Sequence, residues 1–157
     1  MKRTKFLLAA SLFCCTVFAQ AVKTDYSGTW KLNNGKSTQD GAADRVYTNV
    51  IEMSGSNIKV TTKADGVTNP LDGTFPMNGK AHVVKIEHGY RYTKVGWESG
   101  TLIFEITDKV SKKELARVTR YLRESWTMSP DGKVMTKFRR TSEVGKVIDQ
   151  KYVFDKQ

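Results

Sequence analysis

The chain has 157 residues, 26 of them basic and 16 acidic, for a formal net charge of +10. That length accommodates one domain around a single core. Its only cysteines are the adjacent pair Cys14 and Cys15, which excludes a disulfide-stapled scaffold and a cysteine-based zinc module.

Lys2, Arg3 and Lys5 precede the apolar run FLLAASLFCCTVFAQA. A basic start, a short apolar stretch and a small-residue exit are the parts of a secretory signal. The expected signal peptide is 1–21, cleaved after Ala19 or Ala21. The run is shorter than the ~20 residues a membrane span needs. A lipid-anchored form at Cys15 is the alternative, poorly matched because Cys14 stands where a glycine, alanine or serine belongs. The expectation is a periplasmic or secreted protein with no transmembrane segment after signal removal, and 22–157 as one domain. Removing the signal leaves 23 basic residues against 16 acidic, a net charge of +7. Such a surface suits an anionic envelope surface or an anionic ligand. An exported destination argues against nucleic acid.

From Gly28 onward the apolar residues recur at period two, never at the helical period. Gly28 to Asn33 is the first expected strand, with Trp30 and Leu32 on one face. NNGKSTQDGAAD breaks the pattern as a loop. Strands are then expected at Val46 to Met53 and Ile58 to Lys63. Thr74 to Met77 contains Pro76, so it reads as an edge or irregular strand. Asn78-Gly79 is the strongest two-residue hairpin signal in the chain. Ala81 to Glu87, Tyr90 to Trp97 and Thr101 to Thr107 follow, then the charged connection DKVSKKEL. Ala116 to Ser129, the turn Pro130-Asp131-Gly132-Lys133, Val134 to Thr141 and Lys146 to Phe154 complete the set. Short turns between about 8–10 strands imply an all-β fold, a single antiparallel up-and-down β-barrel, with an open β-sandwich as the alternative.

These residues carry a resemblance. SGTWKLN is similar to the G-x-W opening of lipocalins and of the related fatty-acid-binding barrels. VGWESGTLIFEI, RESWTMSPDGKVMTKFRRT and the terminal YVFDKQ resemble strands of small secreted bacterial lipocalin-like proteins. The resemblance implies a closed calycin-type barrel, often with an apolar cavity. It also implies that Gly28 and Trp30 close the barrel floor, with a basic side chain of a late strand on the tryptophan, offered here by Arg139 or Arg140.

Face assignment within strands yields the candidate site. On Ala116 to Ser129, Val118, Leu122, Trp126 and Met128 share a face with Arg120 and Glu124. On the next strand, Val134, Thr136 and Phe138 share one with Arg140. If both apolar faces point inward, Arg120 and Arg140 enter the barrel, where an unpaired guanidinium is costly. Either Glu124 pairs with an arginine, or a ligand carboxylate does. Arg120, Arg140, Trp126, Phe138, Tyr92, Trp97 and Phe104 are the expected ligand-binding residues, with Tyr47 and Tyr90 further candidates for a pocket wall. Lys112, Lys113, Arg117 and Arg123 are read as an exposed basic rim together with Lys137 and Arg139.

The two histidines, His82 and His88, are too far apart along a strand to share one metal. No G-x-S-x-G elbow or other nucleophile signal is present, so no catalytic residues, metal or cofactor are assigned. Two functions lead, with an enzyme whose active site sits at the barrel mouth as a third. One is an exported barrel that binds a small apolar or amphiphilic molecule of the fatty acid or lipid class, with an internal cavity of roughly 300–1,000 Å³. The other is a filled barrel that uses its loops or basic face to bind a protein, polysaccharide or anionic lipid surface.

Overall fold

The computed structural model describes residues 23–38, 47–63, 69–113, 117–143 and 145–157. The expected signal segment and both cysteines lie outside the described residues. Among the described residues, ten strands follow one another with one 3-10 turn at Asn34–Lys36. They are β1 (Gly28–Leu32), β2 (Thr48–Ser54), β3 (Asn57–Lys63), β4 (Gly73–Pro76), β5 (Ala81–Ile86), β6 (Gly89–Glu98), β7 (Thr101–Lys109), β8 (Val118–Met128), β9 (Val134–Glu143) and β10 (Lys146–Lys156).

All pairs are antiparallel, and the strands form one sheet in the order β4-β3-β2-β1-β10-β9-β8-β7-β6-β5. The sheet curls into a nearly closed barrel, which removes the open sandwich from consideration. The seam between β4 and β5 is not a hairpin, so the Asn78-Gly79 expectation is corrected. Gly79, at φ 71°, instead crosses the seam, its N–H donating to the Val95 carbonyl at 2.8 Å. A Cβ on Gly96 beneath it would lie 3.2 Å from the Gly79 Cα. Gly79 does take the positive φ that such a turn residue supplies. Its neighbours are β6 and the seam rather than two paired strands.

One end of the barrel is a floor. The turns after β2, β6 and β8 lie there, and Tyr26, Trp30, Phe104, Trp126 and Phe154 are buried around it. Edge and stacking contacts link Tyr26 to Trp126, Phe104 to Trp126 and Phe75 to Phe104. Each fully buried side chain of this kind contributes about 1.5–3 kcal/mol or more. The Trp30 Nε1–H donates to the Tyr26 carbonyl at 2.9 Å, and the Tyr26 hydroxyl to the Trp126 carbonyl at 2.6 Å. Burial pushes the Tyr26 hydroxyl up to about 12. The basic side chain on Trp30 is Lys156, with its Nζ 5.2 Å from the ring centroid. It replaces the expected Arg139 or Arg140 because β10, not β9, is the strand paired with β1. Gly28, at φ 136°, makes room for it: a Cβ there would meet Lys156 Cε at 2.9 Å.

The opposite end, the rim, is bounded by the Glu87–His88 turn, by Val110 and Arg117, whose backbones hydrogen-bond, and by Gly145. Strands β6–β10 reach it with 9 to 11 residues each. Five exposed valines (Val83, Val84, Val110, Val118 and Val147) gather towards this end.

Candidate ligand site on the inner wall

Register carries the inward residues of β6–β10 into rows that climb from floor to rim. The first row is Trp97, Leu102, Trp126, Lys137 and Tyr152. The second is Val95, Phe104, Glu124, Arg139 and Gln150. Thr93, Ile106, Leu122, Thr141 and Ile148 form the third. The fourth, at the rim, is Arg91, Asp108, Arg120 and Glu143, with Lys146 next to Glu143. The inner wall is therefore apolar at the floor apart from Lys137, charged in a middle belt, mixed above it and charged again at the rim.

The middle belt is buried. Glu124 is wholly inaccessible; its Oε1 accepts from Arg139 Nε at 2.5 Å and its Oε2 from the Trp126 indole N–H at 2.8 Å. Burial pushes this carboxyl up, but the charges of Arg139 and Lys137 outweigh burial and hold it below the ordinary value. The Arg139 guanidinium lies 5.0 Å from the Tyr152 ring centroid. Lys137 Nζ sits 3.7 Å from the Trp126 centroid and 4.9 Å from that of Phe154. Burial lowers its amine to about 7, partly offset by Glu124. Glu124 thus does pair with an arginine, but the partner is Arg139.

At the rim, Arg91 holds Asp108 with two bonds of 2.8 Å. Arg120, next in that row, forms no ion pair or hydrogen bond with the described residues, and its Nε is buried without a partner. A second inward donor, Asn49 Nδ2 on β2, is likewise buried and unpartnered. The Asn49 oxygen accepts from Thr62. Buried donors left unpaired cost about 1–3 kcal/mol each unless an acceptor arrives.

The structure brings Arg120, Trp126, Phe104 and Trp97 to the inner wall, with Tyr47 against Tyr152 and Phe154. Arg140, Phe138, Tyr92 and Tyr90 are on the outer face, which corrects those four placements. Met128 pairs with Met135 across the Ser129–Lys133 turn, so an inward even residue on β8 faces an inward odd residue on β9. Phe138 is exposed, and Arg140 pairs with Asp149 on the outer surface at 2.7 Å. Lys109 covers the Tyr92 ring and Lys112 the Tyr90 ring, at 5.4 and 5.1 Å. Lys137 and Arg139 leave the expected basic rim for the interior.

Sequence reading missed both as interior residues, along with the Arg91–Asp108 pair. The parity imposed by the turn after Met128 was the available signal. Two hollows lie on the outer side of the sheet. One of about 430 Å³ lies where Met77, Asn78 and Gly79 cross β6 near Trp97, Glu98 and Glu105. A second of about 390 Å³ is beside Thr119, Tyr121 and Ser142.

A near-closed antiparallel barrel with this strand order has the lipocalin-like, calycin-type fold. Solved structures agree. A secretory abundant heat soluble protein from Ramazzottius varieornatus superposes with a TM-score of 0.58 at 11% identity, covering 88% of this chain and 100% of that one. Secretory abundant heat soluble protein 4 of the same organism gives 0.57 at 12%, covering 88% and 99%. Zebrafish ileal bile acid-binding protein, complexed with cholic acid, gives 0.54 at 16%, covering 84% and 98%. No protein-family model and no curated protein matches the sequence.

Proposed function

We propose that this protein is exported and carries a small amphiphilic anion, of the fatty acid or lipid class, inside its barrel. The observation that carries the reading is Arg120, a guanidinium on the inner wall with a buried and unpartnered Nε. A ligand carboxylate supplies the acceptor it lacks, in the planar geometry a guanidinium prefers. The apolar body then lies against Ile106, Leu122 and Ile148, one row deeper, above the floor. The fold supports this reading, since a neighbour of the same architecture is a bile acid-binding protein solved with cholic acid. Export rests on the basic, then apolar, N-terminal sequence.

The test is calorimetric titration with decanoate and cholate, comparing Arg120→Ala with Arg140→Ala. Loss of a charge-assisted hydrogen bond worth about 1.5–3 kcal/mol weakens binding by roughly tenfold to a hundredfold in the first variant. Arg140 is on the outer face, so its variant binds as the parent does. Equal affinities for all three proteins would remove Arg120 from the site.

A further inference from the structure

We infer that Lys137 is a carbonyl-capturing amine, which holds an aldehyde-bearing amphiphile in the barrel as a reversible imine. The inference rests on the reading that the interior admits an amphiphile, and adds a covalent step and a second ligand class to it.

The argument begins with contrast among the interior cations. Arg91 has Asp108 and Arg139 has Glu124, each at hydrogen-bonding distance. Lys137, 3% exposed, has neither a hydrogen bond nor an ion pair with the described residues. Its amine is caged by the Trp126 and Phe154 rings instead. A purely structural ammonium at this depth would be expected to take a carboxylate, because desolvating it otherwise costs several kcal/mol. Ring faces compensate only part of that, and the neutral amine becomes accessible near neutral pH. A neutral, desolvated lysine amine is a nucleophile towards carbonyl carbon.

The neighbourhood also suits the product. Glu124 carries its charge at the next inward position on β8 from Trp126, and acts on Lys137 electrostatically. It serves as counter-ion if the imine is protonated. The charge of Asp72 also reaches Lys137. Asp72 is tied through Thr62 to Asn49, whose Nδ2 is one of the unpartnered inward donors. The inner wall thus holds an unpartnered donor besides Arg120.

The step balances without an oxidant or reductant. The neutral Nζ adds to the aldehyde carbon, and the C=O π pair moves to oxygen, which takes a proton. The carbinolamine loses that oxygen as water while nitrogen gives up its own proton, leaving a C=N bond. Water reverses the sequence and releases the aldehyde.

The experiment is incubation of the purified protein with decanal at neutral pH, followed by cyanoborohydride, which fixes an imine as a secondary amine. Intact-mass and peptide mapping then locate the added decyl group. The expected result is one decyl group per chain, on the peptide containing Lys137, and its complete loss in Lys137→Met. Circular dichroism checks that this variant folds, and the mapping of the parent protein stands without it. Decanoate titration in parallel separates the two readings. Decanoate binding without an adduct at Lys137, or with label spread over surface lysines, overturns the imine alone. If neither decanoate nor decanal binds inside, both readings fall.

Discussion

The floor and the upper interior obey the same alternation rule and come to opposite ends. At the floor, inward positions are filled by Trp30, Tyr26, Phe104, Trp126 and Phe154, which pack on one another; the indole N–H groups of Trp30 and Trp126 are paired, and that of Trp97 is buried without a partner. Towards the rim, inward positions hold Arg91, Asp108, Arg120 and Glu143; Arg91 and Asp108 pair with each other, and Arg120 has no partner among the described residues. Alternation decides only which side chains point in. Whether they form a core or a binding surface depends on the supply of partners. The middle belt, where Glu124 is shared by Arg139 and Trp126, is the boundary between the two regimes.

The largest effect should come from breaking the floor. Trp126→Ala removes a buried ring that packs on Phe104 and Tyr26, leaves Glu124 Oε2 without its indole donor and uncovers Lys137. Large-to-small substitution of a buried aromatic costs about 3–5 kcal/mol, read as a lower urea midpoint. A loss under about 1 kcal/mol would mean that the floor is not the stabilising half.

Glu124→Gln attacks the boundary. It strands the Arg139 charge beside Lys137, and removing one member of a buried pair costs about 3–5 kcal/mol; urea unfolding checks this as well. The pH dependence sharpens the point. Burial holds the folded-state pKa of Lys137 at about 7, below its unfolded value. The unfolded chain therefore binds more protons above neutrality, and stability rises between about pH 7 and pH 10. Above that window the raised Tyr26 hydroxyl acts oppositely, because the unfolded chain loses that proton first. Glu124, held below its ordinary value, stabilises above its unfolded pKa and gives that up as pH falls through the folded one. Lys137→Met should flatten the rise between pH 7 and pH 10, seen as melting temperature against pH. A parent protein with no rise there would show Lys137 to be charged and well accommodated.

The smallest effect is expected outside the wall. Arg140→Ala opens a solvent-exposed ion pair with Asp149, and exposed pairs contribute little. Its melting temperature should match that of the parent.

Much of the fold was legible because short alternating runs and turn residues are local signals. Pro76 marked an edge strand, and Trp30 and Leu32 declared their face. The sides of β9 were not legible from composition. Val134, Thr136 and Phe138 look like an inward face, whereas Met135, Lys137 and Arg139 occupy it. Two cations can be buried there because Glu124, on another strand, faces Arg139 across the β8–β9 ladder and aromatic rings cover Lys137. Such compensation is non-local, and alternation within one strand carries no trace of it. The same holds for Arg91, whose burial depends on Asp108 of β7.

The floor also bears on connectivity. Trp30 reaches back to Tyr26, while the Gln157 N–H donates to the Thr29 carbonyl at 3.0 Å, so the start of β1 and the end of β10 meet at one place. The described chain is nearly a ring. A short linker from Gln157 to the segment before Tyr26 would complete it, and new ends could be cut at an exposed turn without unpairing β1 from β10. With the cut moved to the rim, handles attached there would pull directly on the rim while β1 and β10 stayed paired.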